Sequence, residues 1–297
     1  MADLAGILNI DKPLRVTSHD VVGQVRRVAR MRRVGHGGTL DPLASGVLVV
    51  ALGVATRLLE YVTGQPKSYE AVVRLGKTSA TYDAEGELSQ GRPPGELQLA
   101  QLEEALAQFR GPIDQAPPMY SAVKRGGQPL YKLARQGIEV AREPRPVTIY
   151  ELQLVAWSAP DLHLHVRCSA GTYIRSLAHD LGEALGTGAY LAALRRSAVG
   201  PFTIATSIPL DTLSPENLAQ QLLPLDSAVA HLPRLDVDET AAVRLRQGQR
   251  VPRETGADGA ELARVYGPDG DLAGIVTAAE GEWQPHKIFS QTDGSYG

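Results

Sequence analysis

Residues 35–46 read GHGGTLDPLASG, which sets one histidine and one aspartate five positions apart on a glycine-rich loop just ahead of the apolar run VLVVALG. Gly35, Gly37 and Gly38 admit backbone angles that other residues reach only at a cost, so the segment predicts a tightly shaped loop. Asp41 stands before Pro42, which biases it toward an extended or turn conformation. A carboxylate held on such a loop against a buried strand can act as a nucleophile or a general base. The same residues also build ordinary turns, in which aspartate and glycine are common.

Other residues extend the chemical reading. Arg175, in GTYIR at a helix start, can pair with a carboxylate and keep it ionised in an apolar site. Tyr69 or Tyr173 can stack on a base, a contact worth about 1–3 kcal/mol. That offsets the few kcal/mol, roughly, needed to unstack the target. QVRRVARMRR gathers Arg26, Arg27, Arg30, Arg32 and Arg33, a set able to hold phosphates without regard to sequence. Together these residues suit an enzyme acting on a nucleic-acid base. Each also has an ordinary structural reading: Asp41 as a turn residue, His36 as a satisfied loop histidine, Tyr69 as core, Arg175 as a backbone donor, the arginines as a solvated helix face. Other chemistries lack support. The seven histidines are scattered, and His163 and His165, which share a strand face with no cysteine nearby, read as surface residues rather than metal ligands. There is no G-x-S-x-G elbow, phosphate-binding P-loop or dinucleotide fingerprint.

The elements that must position these residues follow from capping and periodicity. NIDKPLRVTSHDVVGQVRRVARM reads as a turn and a helix capped by Thr17 or Ser18, with Val21, Val25, Val28 and Ala29 inward and Arg26, Arg30 and Arg33 on a neighbouring stripe. GVLVVAL is a buried strand closed by Gly53, and VATRLLEYV a short helix. YEAVVRLG alternates Tyr69, Ala71, Val73 and Leu75 on one strand face. LQLAQLEEALAQF is a helix, apolar at Leu99, Leu102, Leu106 and Phe109. Residues 111–130 form a long irregular stretch carrying MYSAVKRGG. PVTIYELQLVAW and DLHLHVRCSA are strands, the second burying Leu162, Leu164, Val166 and Cys168. GTYIRSLAHDLGEALG is a helix with Ile174, Leu177, Ala178, Leu181, Ala184 and Leu185 inward, after which a turn leads through AYLAALRRSAVGPF. Beyond LPLDSAVAHLP come short strands in RVPRE, LARVYG and LAGIVTA, so a boundary near residue 228 divides the chain into residues 1–228 and 229–297.

The bulk properties bound the class. A chain of 297 residues with 43% hydrophobic and 21% charged residues can bury a full core. A single cysteine, Cys168, excludes a disulfide framework and fits a reducing, cytoplasmic location. MADLAGILNIDKP lacks the features of a signal peptide, and the apolar run at 47–52 is too short to span a bilayer. Charge is uneven: residues 226–297 carry 7 Lys+Arg against 12 Asp+Glu, leaving 23 against 21 for residues 1–225. The acidic C-terminal part still leaves room for a basic face around Arg244, Arg246, Arg250 and Arg253.

GHGGTLDPLASGVLVVALG closely resembles the catalytic segment of the TruB family, the tRNA pseudouridine-55 synthases. NIDKPLRVTSHDVV, KSYEAVVRLG, QAPPMYSAVKRGGQPLYKLARQG and GTYIRSLAHDLGEALGTGAYLAALRRSAVGPF resemble the family in the same order, over about residues 7–204. The resemblance implies that Asp41 is the essential catalytic aspartate and Tyr69 the tyrosine that packs on the target base. It makes Arg175 the aspartate's partner, with Tyr173 beside it, and Leu194 a wall of the uracil pocket. His36 corresponds to the histidine inserted into the T loop where bases have flipped out. Gly37 departs from the Thr or Ala of many relatives, which predicts a looser loop. The implied fold is α+β, the pseudouridine-synthase fold with a mixed sheet and central catalytic cleft, followed by a small PUA-like β domain. The implied activity is isomerisation of uridine 55 in the tRNA T arm, by a cytoplasmic monomer needing no metal, no organic cofactor, no membrane and no obligatory protein partner. Two rivals share these motifs: a non-catalytic tRNA-binding protein, and a guide-RNA-dependent relative of the archaeal and eukaryotic type.

Overall fold

The computed structural model describes residues 4–121, 123–253 and 259–289, apart from the side chain of Lys124. Its strands β1 (Gly6–Lys12), β2 (Val34–His36) and β3 (Ala44–Leu52) lie together, with β3 between the other two, antiparallel to β1 from Gly46 to Leu52 and to β2 from Val50 to Leu52. The run VLVVAL is apolar at every position because β3 is covered on both faces. Val47, Val49 and Ala51 face one core, while Leu48, Val50 and Leu52 face helix α1 (Ser18–Ala29). Thr17 caps α1: its side chain accepts from the Asp20 amide, and the Asp20 carboxylate accepts from the Thr17 amide. Val21, Val22 and Val25 are buried, whereas Val28 and Ala29 are only partly covered. The helix closes at Arg30 in the left-handed region (φ 49°). Arg33 therefore lies beyond it, not on the expected stripe.

Strands β4 (Lys67–Leu75), β5 (Gly111–Gln115), β6 (Arg145–Ser158), β7 (Asp161–Cys168), β8 (Ala189–Val199), β9 (Phe202–Thr203) and β10 (Ile208–Pro209) complete a ten-stranded sheet. Its order is β10-β1-β3-β8-β4-β7-β6-β5, with β2 on β3 and β9 on β8. The sheet is mixed: β10–β1 and β3–β8 run parallel, the other neighbours antiparallel. The expected alternation holds on β4 and β7, whose Tyr69, Ala71, Val73, Leu75, Leu162, Leu164, Val166 and Cys168 are all buried. Helices α3 (Leu99–Ala107) and α5 (Ile174–Ala184) cover that face with Leu102, Leu106, Ile174, Leu177 and Leu181.

Several local expectations are corrected. VATRLLEYV is a 3-10 turn over Gly53–Leu58 running into α2 (Leu59–Thr63). Leu99 opens α3 and is exposed; Ala184 ends α5 and is exposed too. The stretch 111–130 contains β5 and a small hairpin pairing Lys124–Arg125 with Gln128–Pro129, which leads into α4 (Leu130–Arg135). The segment AYLAALRRSAV, given no element by the sequence, is β8, which joins the two halves of the sheet.

Glycine matters most where β3 meets β8. Gly46 has φ 103°, and a Cβ there would stand 2.2 Å from the carbonyl oxygen of Arg196. Gly46→Ala is expected to destabilise the protein by about 2–3 kcal/mol, combining left-handed strain with a backbone clash. A thermal melt matching the wild type would contradict that packing.

A second sheet follows, built from β11 (Arg234–Asp236), β12 (Val251–Pro252), β13 (Leu262–Tyr266), β14 (Leu272–Ala279) and β15 (Glu282–Ile288) in the order β11-β13-β14-β15-β12. The expected strands of LARVYG, LAGIVTA and RVPRE are present, although Glu254 of the last lies outside the described residues. A core around the fully buried Trp283 fills this unit. Ile275 and Phe289 extend into the apolar cluster of Val54, Leu225 and Val229. Arg57 donates to the Ile288 carbonyl (2.8 Å), and Lys287 donates to the Arg57 carbonyl (2.8 Å) and pairs with Glu60. The anticipated basic face is largely spent inside this unit. Arg246 meets Glu239, Arg250 meets Glu280, Arg244 donates to the Arg250 carbonyl, and Arg253 donates to that of Ala260. Among the described residues no helix is long and apolar enough to cross a membrane.

Candidate active site

The loop between β2 and β3 is tied down at both ends and in its middle. Gly37 donates to the Val49 carbonyl (2.8 Å), and Ala44 donates to that of Asp41 (3.0 Å). Ser18 exchanges hydrogen bonds with the backbone of Leu40, 3.0 and 2.8 Å. A Cβ on Gly37 would lie 2.6 Å from a Val62 methyl group, so this glycine lets the loop pack tightly onto α2. That corrects the expected loosening: the missing side chain brings the loop closer to its support.

Asp41 leaves this loop toward the start of α5. Its carboxylate meets Arg175 Nη2 at 3.1 Å, with 37% of the aspartate side chain open and 9% of the arginine. Arg175 also pairs with the buried Asp83 at 3.2 Å and donates to the Tyr120 carbonyl at 3.0 Å. Arg175 is presented by the first turn of α5, whose preceding residue, Tyr173, is clamped through its backbone: its amide donates to Gln115 Oε1 (2.7 Å) and its carbonyl accepts from Gln115 Nε2 (3.0 Å). The expected pair of Asp41 and Arg175 is thus in contact, and Asp83 is a third member that the sequence reading missed.

Tyr69 stands opposite Arg196 across β4 and β8. Its ring is buried, and its hydroxyl lies in the field of the Arg196 guanidinium. Burial pushes the phenol up from its usual range, so it stays protonated. Arg196, 1% exposed, also donates to the carbonyls of Val47 (2.7 Å), Gly38 (3.0 Å) and Thr39 (3.4 Å). This buried arginine fixes the loop that carries Asp41 beside the strand that carries Tyr69, and burial lowers its pKa. Leu194, two residues earlier, pairs with Ala44 and Ala71 and packs half-buried on the cluster containing Tyr69. His36 ends β2 with a buried Nδ1 that has no partner among the described residues. Burial, then the charge of Arg196, lowers its pKa, leaving a neutral imidazole. Arg26 and Arg33 are exposed yet anchored to Val34 and Thr56, and Arg30 is the helix cap.

Burial raises the Asp41 pKa, Arg175 opposes the shift, and Asp83 adds to it. Lys12, pushed down to about 8 chiefly by burial, contributes a nearby positive charge while donating to the carbonyls of Pro13 and Val16. The site therefore holds an ionisable carboxylate that is poorly solvated and partly neutralised. Such a group is suited to nucleophilic or proton-transfer chemistry. A chemistry that needs this carboxylate ionised loses rate as pH falls through the raised pKa. The acid limb of kcat/KM is expected above about pH 4, the ordinary aspartate value. In Asp83→Asn, which removes the repelling charge, the limb should move to lower pH. A limb that stays in place would break the assigned coupling. Among the described residues no group of three His, Cys, Asp or Glu side chains is placed to hold a metal ion.

Comparison with known proteins decides the family. Residues 26–174 match the TruB family pseudouridylate synthase N-terminal domain, and residues 175–230 and 233–289 match two TruB C-terminal domains. The chain belongs to the TruB family of pseudouridylate synthases. It is 45% identical over 289 residues to tRNA pseudouridine synthase B of Dehalococcoides mccartyi strain CBDB1, covering 96% of each chain. The corresponding protein of Azoarcus sp. strain BH72 is 45% identical over 292 residues, 97% of this chain and 96% of that one. Among solved structures, a Cbf5–Nop10–Gar1 complex superposes with TM-score 0.76 at 29% identity, covering 97% of this TruB-family chain and 86% of the other. An archaeal box H/ACA Nop10–Cbf5 complex gives 0.74 at 26% identity, covering 98% and 88%. The α+β fold with a mixed sheet and a C-terminal β domain is thus that of the pseudouridine synthases.

Proposed function

We propose that this TruB-family enzyme isomerises uridine 55 in the T loop of tRNA, with Asp41 as the catalytic group. The observation that carries the reading is the Asp41–Arg175–Asp83 chain: a partly open carboxylate fixed by a buried arginine beside Tyr69 and Leu194. In the reaction the bond from N1 to the ribose C1′ breaks, the uracil turns while held, and C5 bonds to C1′. C5 gives up its hydrogen to solvent and N1 takes a proton from it. Reactant and product are isomers, with no net redox change. Tyr69, beside Arg196, packs on the turning base, Leu194 walls it, and Tyr173 stands beside Arg175. His36, neutral with an unpartnered nitrogen, enters the T loop in place of the flipped bases. Arg26, Arg30 and Arg33 lie along the backbone of the T arm. The catalytic domain ends near residue 228, and the PUA-like domain occupies residues 229–297. The enzyme works in the cytoplasm as a monomer on bare tRNA. Identity of 45% to tRNA pseudouridine synthases B over nearly the whole chain supports a stand-alone enzyme. The TM-score of 0.76 to a Cbf5–Nop10–Gar1 complex favours the alternative of an enzyme that works with protein partners.

The deciding measurement is tritium release from unmodified tRNA labelled at uridine C5, with the purified protein alone. Release that plateaus near one equivalent per tRNA, and vanishes when uridine 55 is replaced by cytidine, supports the reading. Bound tRNA without release would overturn it.

A further inference from the structure

A cavity of about 630 Å³ opens on the side of the catalytic loop where β1 runs into α1, and the mechanism above leaves it unused. Its wall carries four cations, Lys12, Arg15, Arg27 and Arg195, against three carboxylates, Asp11, Asp20 and Asp211. Most of these are committed. Arg195 pairs with Asp11 at 2.8 Å, the Asp20 carboxylate takes the Thr17 amide and hydroxyl, and Lys12 is turned to two carbonyls. Arg15 and Arg27 have no carboxylate partner among the described residues and remain available to a ligand.

We infer that this cavity binds a backbone phosphodiester of the RNA substrate through Arg15 and Arg27. The inference rests on the proposed action on RNA and adds to it a phosphate site separate from Arg26, Arg30 and Arg33. Three further observations support it. Arg15 is a non-glycine residue in the left-handed region, φ 64°, where an arginine side chain is a costly occupant and retention of that strain points to a role. Its amide donates to the Pro42 carbonyl at 2.7 Å, so the cavity wall is bonded to the residue next to Asp41. Ser45 and Arg195 also line the cavity and directly follow Ala44 and Leu194, which pair across β3 and β8. The cavity therefore borders the loop that carries Asp41. The planar guanidinium matches a phosphate in two-point contact, and the exposed Leu14 beside Arg15 offers an apolar surface to the adjoining sugar.

The test uses the full-length protein and an unmodified tRNA transcript. Arg15→Gly accepts the observed backbone angle while removing the charge, and Arg27→Gln removes the second. Together they are expected to raise KM about tenfold and leave the saturating single-turnover rate within about twofold. The log–log salt dependence of binding should become shallower by roughly 0.7–0.9, as for one lost phosphate contact. Arg15→Lys should recover part of the slope. A scan of T-arm RNA carrying one neutral methylphosphonate linkage at a time should find a position that weakens the wild type but not the double variant. An unchanged slope overturns the inference. So does inorganic phosphate competing at matched ionic strength while no single linkage matters, since the cavity would then be a free-anion site. Tritium release by the wild type judges the proposed function independently, so the two failures are distinguishable.

Discussion

Asp41→Asn is expected to lower turnover by roughly 10⁴-fold or more, the upper range for loss of a group that attacks or moves a proton, while keeping tRNA affinity within about threefold because phosphate contacts dominate it. The same substitution should leave the fold as stable as the wild type, or more so, at neutral pH. Burial raises the carboxylate's pKa in the folded state, so folding disfavours the charge. That destabilisation is present above the folded-state value and disappears as pH falls through it. Arg175 does not become an orphan in the variant, because Asp83 still meets it at 3.2 Å. Asparagine should therefore show its largest advantage in melting temperature near neutrality, shrinking on acidification. Single-turnover kinetics, tRNA binding and melts from pH 4 to 8 check all three statements. Retained turnover would remove Asp41 from the chemistry. A large loss of stability at pH 7 would make it a structural partner of Arg175 instead.

What the sequence disclosed follows from how directly each pattern reports its surroundings. The β3 run is apolar at every position and lies between two cores, so it was legible as a buried strand. The alternation of β4 and β7 was equally plain, since one face of each meets α3 and α5. Asp41, Tyr69 and Arg175 were legible as candidates, but only folding brings Asp41 to within 3.1 Å of Arg175. β8 was not legible. Its pairing with β4 shifts register between Leu191 and Ala193 and again between Arg196 and Ala198, and each irregularity breaks the period of two on which strand recognition depends. Its arginines point to surface by residue type, yet Arg196 is among the most buried side chains. Asp83 sits in TYDAEG, which reads as a turn until its partner is known. In the C-terminal sheet β11 has only three residues, too short to show a period.

Arg196 should carry the second large effect, and it separates positioning from stability. Arg196→Met keeps most of the volume and removes every donor to Val47, Gly38 and Thr39, along with the positive charge beside Tyr69. Two terms oppose each other in the fold. The orphaned acceptors cost about 1–3 kcal/mol each where no water replaces the donor. Removing the charge relieves a burial that already lowers the guanidinium's pKa, so the net loss of stability should be a few kcal/mol, roughly. Catalysis has no compensating term. Gly38 and Thr39 lose the anchor that sets the loop two residues before Asp41, and Tyr69 loses the cation beside its hydroxyl. A misplacement of about 1 Å can cost around 10²-fold, so kcat should fall by roughly 10²–10³ with tRNA affinity little changed. Arg196→Lys retains a charge without the fork and can satisfy only part of the set, so it should recover little of kcat even where it restores the melting temperature. That split, stability recovered and rate not, is the mark of a positioning residue. If lysine restores both, a buried charge suffices; if methionine keeps kcat within tenfold, the loop is held by its backbone bonds and Arg196 only fills space.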